Sequence, residues 1–101
     1  MNNYYRKINI PFTNVYLLRW KPRVTTPIHS HKGQECNMYV LKGEFEENIY
    51  KHLSERGYYM IDSKVIQKNQ CSHINDEKGF HSMKNLSYTY GWSLHNYKDI
   101  K

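Results

Sequence analysis

Long apolar runs are missing from this sequence: no stretch approaches the roughly 20 residues that a membrane-spanning helix needs. The opening Met1-Asn2-Asn3-Tyr4-Tyr5-Arg6 lacks the apolar stretch of a secretory signal. Both absences point to a cytoplasmic chain with no membrane partner. Cysteine is scarce, and the two present, Cys36 and Cys71, are too few for a disulfide-stapled scaffold and too far apart for a zinc knuckle. Basic runs are lacking as well. The formal charge of +6 comes from fifteen Lys and Arg residues spread along the chain, a pattern that marks a solvated surface rather than a nucleic-acid-binding face. No internal repeat, no low-complexity linker and no helical apolar stripe sustained over three turns can be found.

What is present is a series of short extended segments. Its 101 residues suffice for one small domain, 1–101, so any function rests on a single core and the pocket inside it. Ten tyrosines and two tryptophans suit half-buried pleated surfaces. Segment 15–20 reads as a strand stopped by Lys21-Pro22, 28–31 as a short second one, and 36–41 as a third. Turns at Lys32-Gly33 and Lys42-Gly43 separate them from each other and from 44–50. Segments 57–61, 64–67, 72–74 and 81–83 and the alternation through Thr89, Tyr90, Trp92 and Leu94 continue the series. Tyr16, Leu18 and Trp20 alternate as core and pocket-wall residues do. The expected fold is all-β, a small barrel or sandwich with room inside for one ligand or metal.

His29 and His31 stand two apart, so on a strand both imidazoles project from one face and can meet one ion. Two such histidines are more often ordinary pocket or surface residues than ligands. A third candidate, His81, follows about fifty residues downstream, after the turn signal in 74–78, and a distant strand of a barrel can close the triad. Three neutral imidazoles with vacant positions suit iron, zinc, nickel or copper, and the ligand set does not choose among them.

The residues around these histidines resemble the cysteine dioxygenase family. Pro27-Ile28-His29-Ser30-His31, four residues, Cys36, six residues and Gly43 is similar to that family's first cupin motif, with cysteine where most cupins carry glutamate. The run from Cys71 to Asn85 resembles its second motif, Ser93-Leu94-His95-Asn96-Tyr97 its Ser-x-His-x-Tyr signature, and Tyr4-Tyr5-Arg6 its Tyr-x-Arg segment. The resemblance implies a cupin fold, a double-stranded β-helix or jelly roll, with Fe(II) on His29, His31 and His81. It further implies a small thiol and O2 as partners, L-cysteine as the leading substrate and cysteine sulfinate as product. Arg6 would pair with the substrate carboxylate, a planar two-pronged donor meeting a planar acceptor, and Tyr4 would stand beside it. Cys36 and Tyr97 match the pair that becomes a thioether cross-link in some members, and Ser93 and His95 the relay that orients that tyrosine.

Counting three residues rather than four from His31 reaches Glu35, the ordinary cupin carboxylate. The six-residue step to Gly43 and the alternation of a strand favour Cys36 as the pocket-facing residue. Arg19 and Arg23 are alternative carboxylate holders, His52 and His73 are surface or strand residues, and Cys71 is a small buried apolar residue. Family members carry helices before the Tyr-x-Arg segment and a further stretch after the signature, and neither is found in these 101 residues. Other small thiols such as 3-mercaptopropionate, a non-enzymatic metal-binding cupin, and a monomer or homodimer complete the expectations.

Overall fold

A computed structural model describes residues 3–30, 34–74 and 79–99. Eight strands follow one another: β1 Tyr5–Asn9, β2 Val15–Trp20, β3 Gln34–Lys42, β4 Phe45–Leu53, β5 Gly57–Ile66, β6 Cys71–Ile74, β7 Phe80–Asn85 and β8 Gly91–Asp99. A 3-10 turn, Ser54–Arg56, joins β4 to β5. The strands form a five-stranded sheet ordered β1-β2-β8-β3-β6 and a three-stranded sheet ordered β5-β4-β7. Every strand pairing is antiparallel. Among the described residues no helix is long and apolar enough to cross a membrane.

Alternation sorts each strand into a face toward the other sheet and a face away from it. On β2, Leu18 and Trp20 point in; on β3, Cys36, Met38 and Val40; on β8, Ser93 and His95. Leu18, Trp20, Met38, Val40, Phe45, Ile66 and Met83 form one buried cluster drawn from both sheets. Trp20 is its centre. Its ring meets Phe45 edge-on at 5.3 Å and Tyr5 at 4.8 Å. Burying each such side chain stabilises the fold by about 1.5–3 kcal/mol. Gly43 makes the turn from β3 to β4 at φ +101°, a left-handed conformation that accounts for glycine at this motif position.

Two segments differ from the expected pieces. Residues 57–61 and 64–66 belong to one continuous strand, β5, which ends before Gln67 and whose residues from Tyr58 to Val65 are all exposed, so apolar periodicity has nothing to report there. Of the segment 28–31, the described residues 28–30 form no full strand: His29 makes an isolated bridge to His81, and Thr25, ahead of the segment, makes another to Lys84.

Candidate metal and substrate site

A cavity of about 280 Å³ lies between the sheets. Tyr5 and Lys7 reach it from β1, Leu18 and Trp20 from β2, Cys36 from β3, Glu47 from β4, Ser72 from β6, His81 from β7 and His95 and Tyr97 from β8. His29 lines it from the segment before β3.

The bridge that places the two histidines is a closely hydrogen-bonded antiparallel pair. His29 N donates to His81 O at 2.9 Å, and His81 N donates to His29 O at 2.8 Å. Residues opposed in this way project side by side, and the ring centroids lie 4.5 Å apart. Each Nδ1 faces an oxygen that can only accept. His29 Nδ1 donates to the Pro27 carbonyl at 2.8 Å, and His81 Nδ1 donates to Glu47 Oε2 at 2.9 Å. Both imidazoles are thereby set as the tautomer whose lone pair is on Nε2, the form a metal takes. Burial holds His29 below the usual histidine range, outweighing the opposite pull of the Pro27 carbonyl, with His81 adding to the depression. It stays neutral, as a ligand must.

His31 lies outside the described residues. Among those described, no three His, Cys, Asp or Glu side chains group closely enough to hold an ion. The pair His29 and His81 nonetheless has the donor chemistry of two thirds of a three-histidine centre.

A second polar chain runs along the opposite wall. Trp20 Nε1 donates to Ser93 Oγ at 2.8 Å, and Ser93 Oγ lies 2.7 Å from His95 Nε2. The serine oxygen accepts from the indole, and its own proton points to Nε2 when His95 carries its proton on Nδ1, the nitrogen 3.8 Å from the Cys36 sulfur. Cys36 and Tyr97 are direct cross-strand partners and hydrogen-bonded neighbours. The chain thus reaches the Cys36 thiol, itself hydrogen-bonded to Tyr97, the tyrosine that the resemblance gave the relay to orient. Burial pushes Cys36 up to about 11, against the lowering effect of the Tyr97 hydrogen bond, and burial with the neighbouring Cys36 pushes the Tyr97 phenol up. Both stay protonated near neutral pH. Glu35, adjacent to Cys36, does not line the cavity.

Tyr4 and Arg6 also stay off the cavity wall. Neighbours on a strand point to opposite faces, and the register pairs Tyr5 with Trp20 and Lys7 with Leu18, two inward residues, while Arg6 pairs with outward Arg19. The tyrosine and base that line the cavity are therefore Tyr5 and Lys7, each one residue later than Tyr4 and Arg6. Lys7 Nζ stands 4.2 Å from the Tyr16 ring and 4.5 Å from the Tyr97 ring, and it is the cation among the lining residues. Arg19 and Arg23 are engaged elsewhere, over Tyr90 and Tyr88. Cys71 is exposed, contrary to the expected burial, because β6 turns the adjacent Ser72 inward.

Glu47 was passed over in the sequence. It is 2% exposed, and Ser72 Oγ donates to its Oε1 at 2.6 Å. The available signal was its place between Phe45 and Ile49 on one face of a strand.

A family model described as cysteine dioxygenase type I matches residues 10–99. The human protein "Cysteine dioxygenase type 1" is 31% identical over 87 residues, covering 83% of this chain and 44% of that protein. The chain thus spans less than half the length of this curated relative. Among solved structures, KdgF from Halomonas sp. superposes with TM-score 0.76 at 10% identity, over 100% of this chain and 84% of that one. The Drosophila melanogaster CENP-C cupin domain does so with TM-score 0.67 at 13% identity, over 93% and 75%. Those two likenesses speak for the fold, a jelly-roll cupin. With one family model matching along almost the whole chain and a relative above 30% identity, this chain belongs to the cysteine dioxygenase type I family.

Proposed function

We propose that the chain is an Fe(II)-dependent dioxygenase of a small thiol, with L-cysteine as substrate and cysteine sulfinate as product. The observation that carries the reading is the paired His29 and His81 in the same cavity as Cys36, Tyr97 and Lys7. His29, His31 and His81 would hold the iron, which when bound supplies vacant positions for a thiolate and for O2. The residues of the chain do the rest. Leu18, Trp20, Met38 and Met83 give the cavity an apolar lining that limits water. Lys7 offers a cation to a carboxylate, with Tyr5 beside Trp20 as a phenol on the same wall. His95, oriented by Ser93, directs its Nδ1 proton at Cys36 and so fixes the thiol against Tyr97.

Cys36 and Tyr97 form the thioether cross-link in this reading: a bond between Sγ and the phenol ring replaces one S–H and one ring C–H bond, and the two protons and two electrons released reduce one O2 to hydrogen peroxide. Overall, one thiol and one O2 give one sulfinic acid, both oxygen atoms ending on sulfur.

The test is oxygen uptake by Fe(II)-loaded protein after anaerobic addition of L-cysteine, followed together with sulfinate formation. Matched oxygen loss and sulfinate, absent in His81→Ala, are expected. Iron uptake without oxygen consumption on L-cysteine or 3-mercaptopropionate would leave a metal-binding cupin instead.

A further inference from the structure

A carboxylate buried as deeply as Glu47 is costly unless every oxygen is held by donors or cations. Glu47 is held from three strands other than its own. Ser72 on β6 donates to Oε1 at 2.6 Å, Lys64 on β5 brings its Nζ to 3.4 Å from the same oxygen, and His81 on β7 donates to Oε2 at 2.9 Å. β6 lies in the five-stranded sheet and the other two beside Glu47 in the three-stranded one, so the carboxylate ties the two sheets together. Nothing in the packing demands a charge at this position. Phe45 and Ile49, its neighbours on the same face of β4, are apolar, and a leucine or methionine there would extend the core without the cost of desolvation.

We propose that Glu47 is a positioning residue for the metal centre: it fixes His81 as the Nδ1–H tautomer, aims Nε2 into the cavity, and places one negative charge behind the imidazole. This deepens the reading of His81 as a ligand and rests on it. A carboxylate accepts only, so the opposite tautomer of His81 would set a bare lone pair against a negative oxygen. The same charge strengthens the imidazole as a donor and offsets part of a dication's charge, an effect that commonly amounts to 10–100-fold in metal affinity. Ser72 and Lys64 in turn hold the carboxylate in place, with its two oxygens aimed in different directions.

Glu47→Gln is the informative change, because it keeps shape but removes charge, and its amide accepts from one His81 tautomer and donates to the other. Two readouts are taken on metal-free and metal-titrated protein: nitrogen NMR of the histidine rings, and Co(II) binding by visible absorption and calorimetry. The wild-type chain should show His81 protonated on Nδ1 alone, and Glu47→Gln a mixture of tautomers with Co(II) held about 10–100-fold more weakly. Ser72→Ala, which frees one carboxylate oxygen, should weaken Co(II) by a smaller factor and serves as the second variant if Glu47→Gln does not fold. A folded Glu47→Gln protein with wild-type tautomer and wild-type Co(II) affinity, or an unchanged affinity in Ser72→Ala where only that variant folds, overturns the proposal. A wild-type chain with the expected tautomer that takes up no Co(II) refutes the metal centre and the positioning role together, whereas equal Co(II) binding by both proteins refutes the positioning role alone.

Discussion

Replacing Lys7 by methionine isolates the cation that lines the cavity. The methionine keeps most of the stem that packs along Tyr16 and Tyr97 and removes the charge lying 4.2 and 4.5 Å from their rings. A hydrogen bond to a charged group contributes about 1.5–3 kcal/mol, and each 1.4 kcal/mol is tenfold. The expected loss in kcat/KM for L-cysteine is therefore roughly 10–150-fold, at the lower end because the lysine is partly hydrated. Cysteamine, which carries the same thiol and amine without a carboxylate, should lose little. Arg6→Met should leave both substrates near wild type, since Arg6 faces away from the cavity with Arg19 opposite it. The assay is initial oxygen uptake across thiol concentrations for the three proteins. An equal fall with both substrates in Lys7→Met would mean lost packing rather than lost recognition. A larger loss in Arg6→Met would refute the strand register on which the reasoning stands.

Three more outcomes follow from the cavity and the core. Glu47 is held down to about 2 from a usual 4.5, because the hydrogen bonds of His81 and Ser72 and the charges of His81 and Lys64 outweigh burial. A depressed carboxyl stabilises the fold above its unfolded value and loses that contribution as pH falls toward its folded value. Urea unfolding should thus lose about 3 kcal/mol between roughly pH 5 and pH 2, and Glu47→Gln should flatten the slope in that window. Iodoacetamide at pH 8 should label exposed Cys71 and spare Cys36, which is buried and raised to about 11. In denaturant Cys36 should react as well, except in molecules where it is joined to Tyr97, which mass spectrometry finds lighter by two hydrogens. Gly91→Ala would set its Cβ 2.7 Å from Phe45 Cζ in the closed core, and overpacking of this kind costs about 1–3 kcal/mol; a denaturation midpoint equal to wild type would contradict the packing.

The parts of the site that could be read from residues alone are those with a fixed period. Cys36 rather than Glu35 faces the cavity because strand neighbours diverge, and Ser93, His95 and Tyr97 share a face because they stand two apart. The parts that escaped depend on partners distant in sequence. Tyr4-Tyr5-Arg6-Lys7 contains the pattern tyrosine, any residue, base twice, one residue out of step. Only the pairing of β1 with β2 chooses between them, through Trp20 and Leu18. A one-residue slip reverses every side chain of a strand, so the resemblance fell on the outward copy. Glu47 was hidden for a different reason. Glu44, Glu46 and Glu47 crowd one short segment, and only the alternation that sets Glu47 on the face of Phe45 and Ile49 separates the acid that meets His81 and Ser72 from its neighbours.

The site is inseparable from the closure of the two sheets. His81 and Glu47 belong to the three-stranded sheet, while Lys7, Cys36, Ser72, His95 and Tyr97 belong to the five-stranded one. The contact between Glu47 and Ser72 therefore joins the histidine half of the cavity to the half that holds the thiol. Packing across the same gap, Trp20 against Phe45, sets the distance between the halves from the core side. Trp20 also donates to Ser93, so one side chain both spaces the sheets and starts the polar chain that reaches Cys36. Trp20→Phe would keep the spacing and break only the relay. If the two roles are separable as this geometry requires, that variant should keep wild-type Co(II) affinity, because His29 and His81 are untouched, yet form less of the Cys36–Tyr97 bond, because His95 loses the donor that orders Ser93. A parallel fall in both would mean that Trp20 acts on the cavity through sheet spacing alone.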